Sequence, residues 1–307
     1  MVRVSSFGQQ QVLIRGIMDN QLKVFEGQRQ ISTGKKHDDY QGLAGQTNTV
    51  LGSRSFQSRI EGYQQTIDTI RGKLDANDVQ VGGVIDAMET LKSAVQTSLA
   101  NGQAEGFSEL LDQTFSFISN GLNTNFDGTY LFAGADTGSI PVNVTELSDL
   151  AAFGAVSDAF DNSSEAFKAR IADGVDLDFG LTAEDIGTDI FTEMLDLYNF
   201  DQGANGPFEG ELNDTQFGLL QGQIASLENA IDGLRQIQVK NGLAFERLEV
   251  VEEQHADTVV FLEIFIADIE DVDIAEAVTK LNNDQVALEA SYRAIGSLSQ
   301  LSLLNFI

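Results

Sequence analysis

The sequence predicts a mainly α-helical protein: a long antiparallel helical rod with paired N- and C-terminal helices and a small inserted α+β domain. Three observations carry that expectation. An apolar heptad runs through the first third of the chain, a second family of helical stripes occupies the C-terminal end, and a strongly acidic stretch with strand-like alternation separates them. Only two prolines, Pro141 and Pro207, occur in 307 residues, so long helices meet few breaks.

The N-terminal stripe is Ile14, Met18, Leu22 and Phe25, spaced by four, four and three, and Gly34 ends that helix. The next helix is expected over roughly residues 45–99. Ile60, Ile67, Leu74, Val81, Met88 and Val95 recur every seven residues, with Tyr63, Ile70, Asn77, Val84, Leu91 and Ser98 three places on. That is an a/d seam over six heptads, with Asn77 as a polar d residue able to fix register. At ~1.5 Å per residue such a helix is ~80 Å long and needs partner helices along its length. The C-terminal end offers them. Ile224, Leu227, Ile231 and Leu234 start one long helix after Asn213-Asp214-Thr215. Ile274, Leu281, Leu288 and Ile295 form the last seam, with Tyr292 beside it, and Asp273 with Glu276 fits a capping box at its start. Loop-closure cost grows only logarithmically with separation, so pairing the two ends of the chain is economical.

Charge divides the chain. Residues 93–234 hold 24 acids and 2 bases, a net of −22, whereas residues 1–92 are near neutral at +1. The two bases of the acidic middle, Lys168 and Arg170, fall in the run 166–180. With Ala172-Asp173-Gly174 as a three-residue loop, Ile171 faces Val175, Ala169 faces Leu177 and Phe167 faces Phe179, while Arg170 meets Asp176 and Lys168 meets Asp178. Thr188 is expected to cap a short helix carrying Ile190, Phe191, Leu195 and Tyr198. The expected divisions are residues 1–40 with 271–307 as a terminal helical assembly domain, 41–140 with 206–270 as a long-helix domain with a small β element, and 141–205 as the inserted acidic α+β domain.

Composition removes several functions. The chain has no cysteine, two distant histidines (His37 and His255) and a net charge of −29. Thiol chemistry and thiolate metal sites are excluded, and nucleic acid or an anionic membrane surface is opposed by charge. Gly34-Lys35 is not a phosphate loop, because Arg29 stands where the earlier glycine belongs. Asp173, Asp176 and Asp178 lack EF-hand spacing and read as a turn with an ionic face. Asp268, Glu270, Asp271 and Asp273 read as a helix end followed by an N-cap. Asn143, Asn162 and Asn213 match the short glycosylation pattern, a weak signal. No acid–base, nucleophile or metal set emerges, so no enzyme activity and no cofactor is expected. No secretory h-region and no membrane-length apolar run is seen, which implies a cytoplasmic chain or export without a cleaved signal.

Several segments resemble those of bacterial flagellins and their hook-associated relatives. Ile31-Ser32-Thr33-Gly34-Lys35 is similar to the family's segment after the first helix, although its usual Ser-Asp-Asp-Pro continuation is here His37-Asp38-Asp39-Tyr40-Gln41-Gly42. Gly242 with Phe245-Glu246-Arg247-Leu248-Glu249, the stretch 269–277, Leu288-Glu289-Ala290-Ser291-Tyr292 and the ending 302–307 resemble its C-terminal region. Asn125 to Gly134 and the ending Leu303-Leu304-Asn305-Phe306-Ile307 are closer to the hook–filament junction branch than to filament flagellins. The resemblance implies a structural, non-catalytic subunit of the extracellular flagellum, exported by the flagellar type III route with a cytoplasmic chaperone. It implies a ring of copies between hook and filament, touching the hook-side junction protein and the filament-side junction protein or flagellin. The expected assembly residues are Ile14, Met18, Leu22, Phe25, Ile274, Leu281, Leu288, Tyr292 and Ile295. A divergent filament flagellin, or a coiled-coil surface or phage-tail binding protein, are the alternatives.

Overall fold

In the computed structural model, which describes residues 6–304, the chain is mainly helical with two small antiparallel hairpins. It runs α1 (Ser6–Thr33), α2 (Thr47–Asn101), α3 (Phe107–Leu122), β1 (Asn125–Phe126), β2 (Thr129–Tyr130), α4 (Leu147–Ala152), β3 (Lys168–Ala172), β4 (Val175–Asp178), α5 (Ala183–Asp201), α6 (Asp214–Glu270) and α7 (Ile274–Leu304). Two compact units share these elements: residues Met1–Arg59 with Asp257–Ile307, and residues Ile60–Ala256.

The larger unit is built on the heptad. Ile60, Ile67, Leu74, Val81, Met88 and Val95 are all buried, as are Ile70, Val84 and Leu91. The opposing seam on α6 also repeats by seven: Leu220, Leu227, Leu234, Asn241 and Leu248 are buried, and His255 closes the series. The two helices run antiparallel, since Lys92 pairs with Glu228, Arg235 with Glu89 at 2.7 Å, and Arg71 with Glu252. Asn77 meets Asn241 inside this seam. The Asn77 amide donates toward Asn241 Oδ1 at 3.4 Å, and Asn241 Nδ2 donates to the Leu74 carbonyl at 2.9 Å. A polar pair there matches only itself, which opposes sliding of one helix along the other. Asn213 starts α6 through a reciprocal cap: its Oδ1 accepts from Thr215 and Gln216, and Gln216 Oε1 accepts from Asn213 N–H.

The hairpin β3–β4 holds the expected cross-strand pairs Lys168–Asp178, Ala169–Leu177 and Arg170–Asp176. The turn differs. Ala172 pairs with Val175, so the loop is the two residues Asp173-Gly174, with an irregularity between Arg170 and Ala172. Gly174 sits at φ 73°, as a tight hairpin turn requires. The displaced Ile171 is fully buried with Leu177 and Phe179 against Ile67, Ile70, Leu74 and Leu248. His255, expected to be solvated or interhelical, is buried; its Nε2 lies 2.6 Å from the Ile171 carbonyl and its ring stacks on Tyr63. The α5 cap also differs. Thr182 is the N-cap, accepting from Asp185 N–H at 3.1 Å, while Thr188 lies inside the helix and donates to the Glu184 carbonyl. Residues 141–205 share a core with the long helices: Val142, Leu147, Leu150, Phe191 and Met194 belong to the same buried cluster as Met88, Leu91, Phe115 and Leu227.

Candidate assembly interface

The smaller unit is short of apolar core. Its buried cluster is Leu43, Val50, Ile266 and Ile269. Polar groups join the rest. Gly34, at φ 71°, ends α1 and turns the chain back along the end of α6. Lys36 N–H donates to the Glu270 carbonyl at 2.7 Å, and Val272 N–H donates to the Gly34 carbonyl at 3.0 Å. Lys36 Nζ reaches the Asp268 carbonyl at 2.6 Å, placing a cation on the C-terminal end of α6 where the helix dipole is negative. Glu270 is buried and accepts from Arg54 Nη2 at 2.7 and 2.9 Å and from Lys35 Nζ at 3.2 Å. Lys35 also reaches Asp271 Oδ1 at 2.5 Å, and that hydrogen bond, ahead of the Glu270 contact, holds the Lys35 ammonium above its ordinary range against an opposing effect of burial. Asp273 then caps α7, accepting from Ala275 and Glu276 N–H at 2.8 and 3.1 Å.

From this joint α1 and α7 pair antiparallel. A Cβ placed on Gly27 would lie 3.3 Å from Leu281 Cδ1, a tight contact that Leu281 would have to relieve by shifting a few tenths of an ångström. Asn20 Nδ2 donates to Ser291 Oγ at 3.1 Å, and Gln21 Nε2 to Tyr292 OH at 2.6 Å. Among the half-buried or buried residues of α1, Leu13, Ile17, Asn20, Val24, Gly27 and Ile31 form a heptad series. Among those of α7, Ala277, Leu281, Asp284, Leu288, Ser291 and Ile295 form another.

The nine residues expected at an assembly surface therefore fall on two faces. Leu281, Leu288 and Ile295 lie on the side of α7 turned to α1. Ile14, Met18, Leu22 and Phe25 lie on the outer side of α1, where Leu22 and Phe25 are 66% and 67% exposed. Ile274 and Tyr292 are exposed on α7, together with Val278 and Val286. Sequence reasoning missed the inner α1 series, whose signal is the seven-residue recurrence of Leu13, Asn20 and Gly27, diluted by two non-apolar members. It also missed the Glu270 joint, because a carboxylate cluster at a helix end carries no mark of its cation partners far away in the chain.

Among the described residues, no three His, Asp or Glu side chains are grouped to hold a metal ion, and no helix is long and apolar enough to cross a membrane.

Residues 224–307 match the family model of the bacterial flagellin C-terminal helical region. Among solved structures, the chain is similar to a flagellar hook-associated protein from Vibrio parahaemolyticus, with a TM-score of 0.60 at 18% identity over 75% of this chain and 98% of that one. It is also similar to Bacillus cereus FlgL, with a TM-score of 0.55 at 12% identity over 70% of this chain and 98% of that one. No curated protein matches by sequence. At these identities the solved structures speak for the fold, and the family model speaks for the sequence of α7 and most of α6.

Proposed function

We propose that this chain, which belongs with the flagellins and hook-associated proteins by its C-terminal helical region and its fold, is a structural subunit of the bacterial flagellum at the junction between hook and filament. It works by packing, without catalysis and without a cofactor. Copies of it form a ring through α1 and α7, contacting the hook-side junction protein on one side and the filament-side junction protein or flagellin on the other. It leaves the cell through the flagellar type III channel, escorted by a cytoplasmic chaperone, and acts outside.

One observation carries the reading. A chain that pairs its two terminal helices with each other still leaves Met18, Leu22 and Phe25 of α1 and Val286 of α7 largely exposed. Isolated exposed apolar residues are ordinary, but a stripe at helical spacing on a helix already paired on its other side marks a surface made for a partner. The test is genetic. Cells lacking the gene should carry bare hooks and release filament subunits into the medium, and the gene in trans should restore filaments. Filaments of another subunit persisting on the mutant cells would refute the junction assignment.

A further inference from the structure

The outer stripe of α1 has two unlike borders. Arg15, Asp19, Lys23 and Glu26 stand at i, i+4, i+8 and i+11, so they line one border of Met18, Leu22 and Phe25, and all four are exposed. Their charges alternate: plus, minus, plus, minus. Gln21 and Gln28 lie on the other border, without charge. Arg29 is not part of the series, being paired with Asp38 at 2.6 Å; its contact with Glu26 is 3.6 Å and leaves that carboxylate 54% exposed. Lys35 and Lys36 lie beyond α1 and are held at the end of α6. The stripe is thus neither basic nor acidic, and charge draws it to no surface of a single sign.

We propose that in the free chain this stripe is covered by the same stripe of a second copy, lying antiparallel to it. The order of charges selects that occupant, because plus-minus-plus-minus read backwards is minus-plus-minus-plus. With Met18 level with Phe25 of the second copy, Leu22 comes within one residue of Leu22 of the second copy. Asp19 then falls one residue from the level of Lys23 of the second copy, and Arg15 two residues from its Glu26, offsets of ~1.5 and ~3 Å along the axis. The two-fold repeats each pair, so apolar layers and opposite-charge pairs share one register. An antiparallel pair also brings like borders together. A parallel pair turns the charged border of one helix to the glutamine border of the other and forms none of these charge pairs. The contact is isologous and closes at two copies, whereas copies in a ring about one axis all point the same way. The pairing therefore withdraws the α1 stripe from the ring until the two copies part. That consequence rests on the subunit reading above; the contact itself does not.

The chain has no cysteine, so single introduced thiols report the geometry. Full-length Met18→Cys carrying a size tag and untagged Phe25→Cys, both changed at exposed positions, are mixed at high concentration and oxidised. In the antiparallel register the mixed disulfide forms, while each like-with-like pair stands ~10 Å apart along the axis, beyond the ~7 Å between Cα atoms that a disulfide spans. A parallel pair reverses this. We expect the mixed product several-fold above either like-with-like product. Asp19→Lys and Lys23→Asp chains should each self-associate several-fold more weakly in sedimentation, and an equimolar mixture of the two should recover the parent value, since opposite charges meet again. Like-with-like disulfides in excess, no disulfide, or a mixture as weak as either chain alone overturns the contact. For its consequence, disulfide-locked pairs should stay out of sedimenting assemblies in a kosmotropic salt and enter them on reduction. Locked pairs that enter overturn the competition with the ring. Chains that assemble neither locked nor reduced overturn the subunit reading and leave the contact standing.

Discussion

Replacing Glu270 by alanine tests whether polar contacts close the smaller unit. The Glu270 carboxylate is buried and accepts from Arg54 at both oxygens and from Lys35 at one. Charge-assisted hydrogen bonds contribute ~1.5–3 kcal/mol each in protected settings. The Arg54 and Lys35 side chains are 48% and 42% exposed, so both regain water when the carboxylate is removed. The loss is thus below the ~3–5 kcal/mol of breaking a fully buried pair and above the ~1 kcal/mol ceiling of a surface one. We expect about 2 kcal/mol, equivalent to roughly a 30-fold change in a local opening constant. Hydrogen exchange reads it directly. The Lys36 and Val272 amides donate to Glu270 and Gly34 carbonyls across the joint, and their protection should fall by about that factor. Amides of the β3–β4 hairpin provide the internal reference. Glu270→Gln keeps the shape and one acceptor, so its loss should be about half as large. Unchanged protection at Lys36 and Val272 in Glu270→Ala would refute the argument and move the unit's stability to its four-residue apolar cluster.

Three further outcomes are expected. Asn241→Leu alone should lower the melting temperature of the larger unit, by ~1–3 kcal/mol in stability, because it leaves the Asn77 amide with one long bond to the Phe179 carbonyl; Asn77→Leu with Asn241→Leu should recover the loss, and calorimetry checks both. Partial desolvation, followed by the like charges of Asp201 and Glu146, holds the carboxyl of the largely exposed Asp112 above its ordinary range, and desolvation does the same for the half-buried Glu193. The folded state then keeps protons that the unfolded chain releases between the ordinary carboxylate range and these raised values, so stability falls as pH rises through that window; the melting temperature should climb on acidification from neutral toward the ordinary range, with a shallower slope in Asp112→Asn. Leu22→Asp should leave the isolated chain's hydrogen exchange unchanged yet block its incorporation into sedimenting assemblies, whereas Leu288→Asp, on the α1-facing side of α7, should accelerate exchange along both terminal helices of the monomer.

The legibility of the fold follows from how many neighbours repeat a signal. The α2 seam was readable because six successive heptads agree, and every a residue from Ile60 to Val95 is buried. The hairpin was readable because each cross-strand pair matches in polarity, and only the turn was misjudged, by one residue. Gly174 supplies the positive φ in either a two- or three-residue loop, so local chemistry did not separate them. Thr182 and Thr188 illustrate the same limit: both are threonines ahead of apolar helical residues, and only the backbone shows which stands outside the helix. The family resemblance, read from motifs near the two ends, is borne out by the matched C-terminal region and by the shared fold. The Glu270 joint was illegible because its partners lie more than two hundred positions away, and composition cannot bring Arg54 and Lys35 to one carboxylate.

The two long seams and the terminal pair use the same heptad logic to different ends. On the α2 seam the apolar residues at both a and d are consumed inside the chain, so any polar replacement costs folding. On α1 the inner series contains Asn20 and Gly27, and its α7 counterpart contains Asp284 and Ser291, so this pairing is weaker per turn than that of α2. Asp284 has one carboxylate oxygen shielded from solvent without a hydrogen-bond partner in the isolated chain, a cost that a fully optimised pair would not retain. Meanwhile the stronger apolar side chains, Met18, Leu22 and Phe25, face outward. Exchanging the two α1 faces would make a more stable monomer, and it would leave nothing for a neighbour. On the proposed assembly, this placement leaves the larger apolar gain of α1 to association, and ordering of the terminal pair is expected to depend on the concentration of copies. If the outer face of α1 is the assembly face proposed above, Leu22→Asp and Leu288→Asp separate the two: the first is expected to alter association alone, the second the monomer's terminal pair.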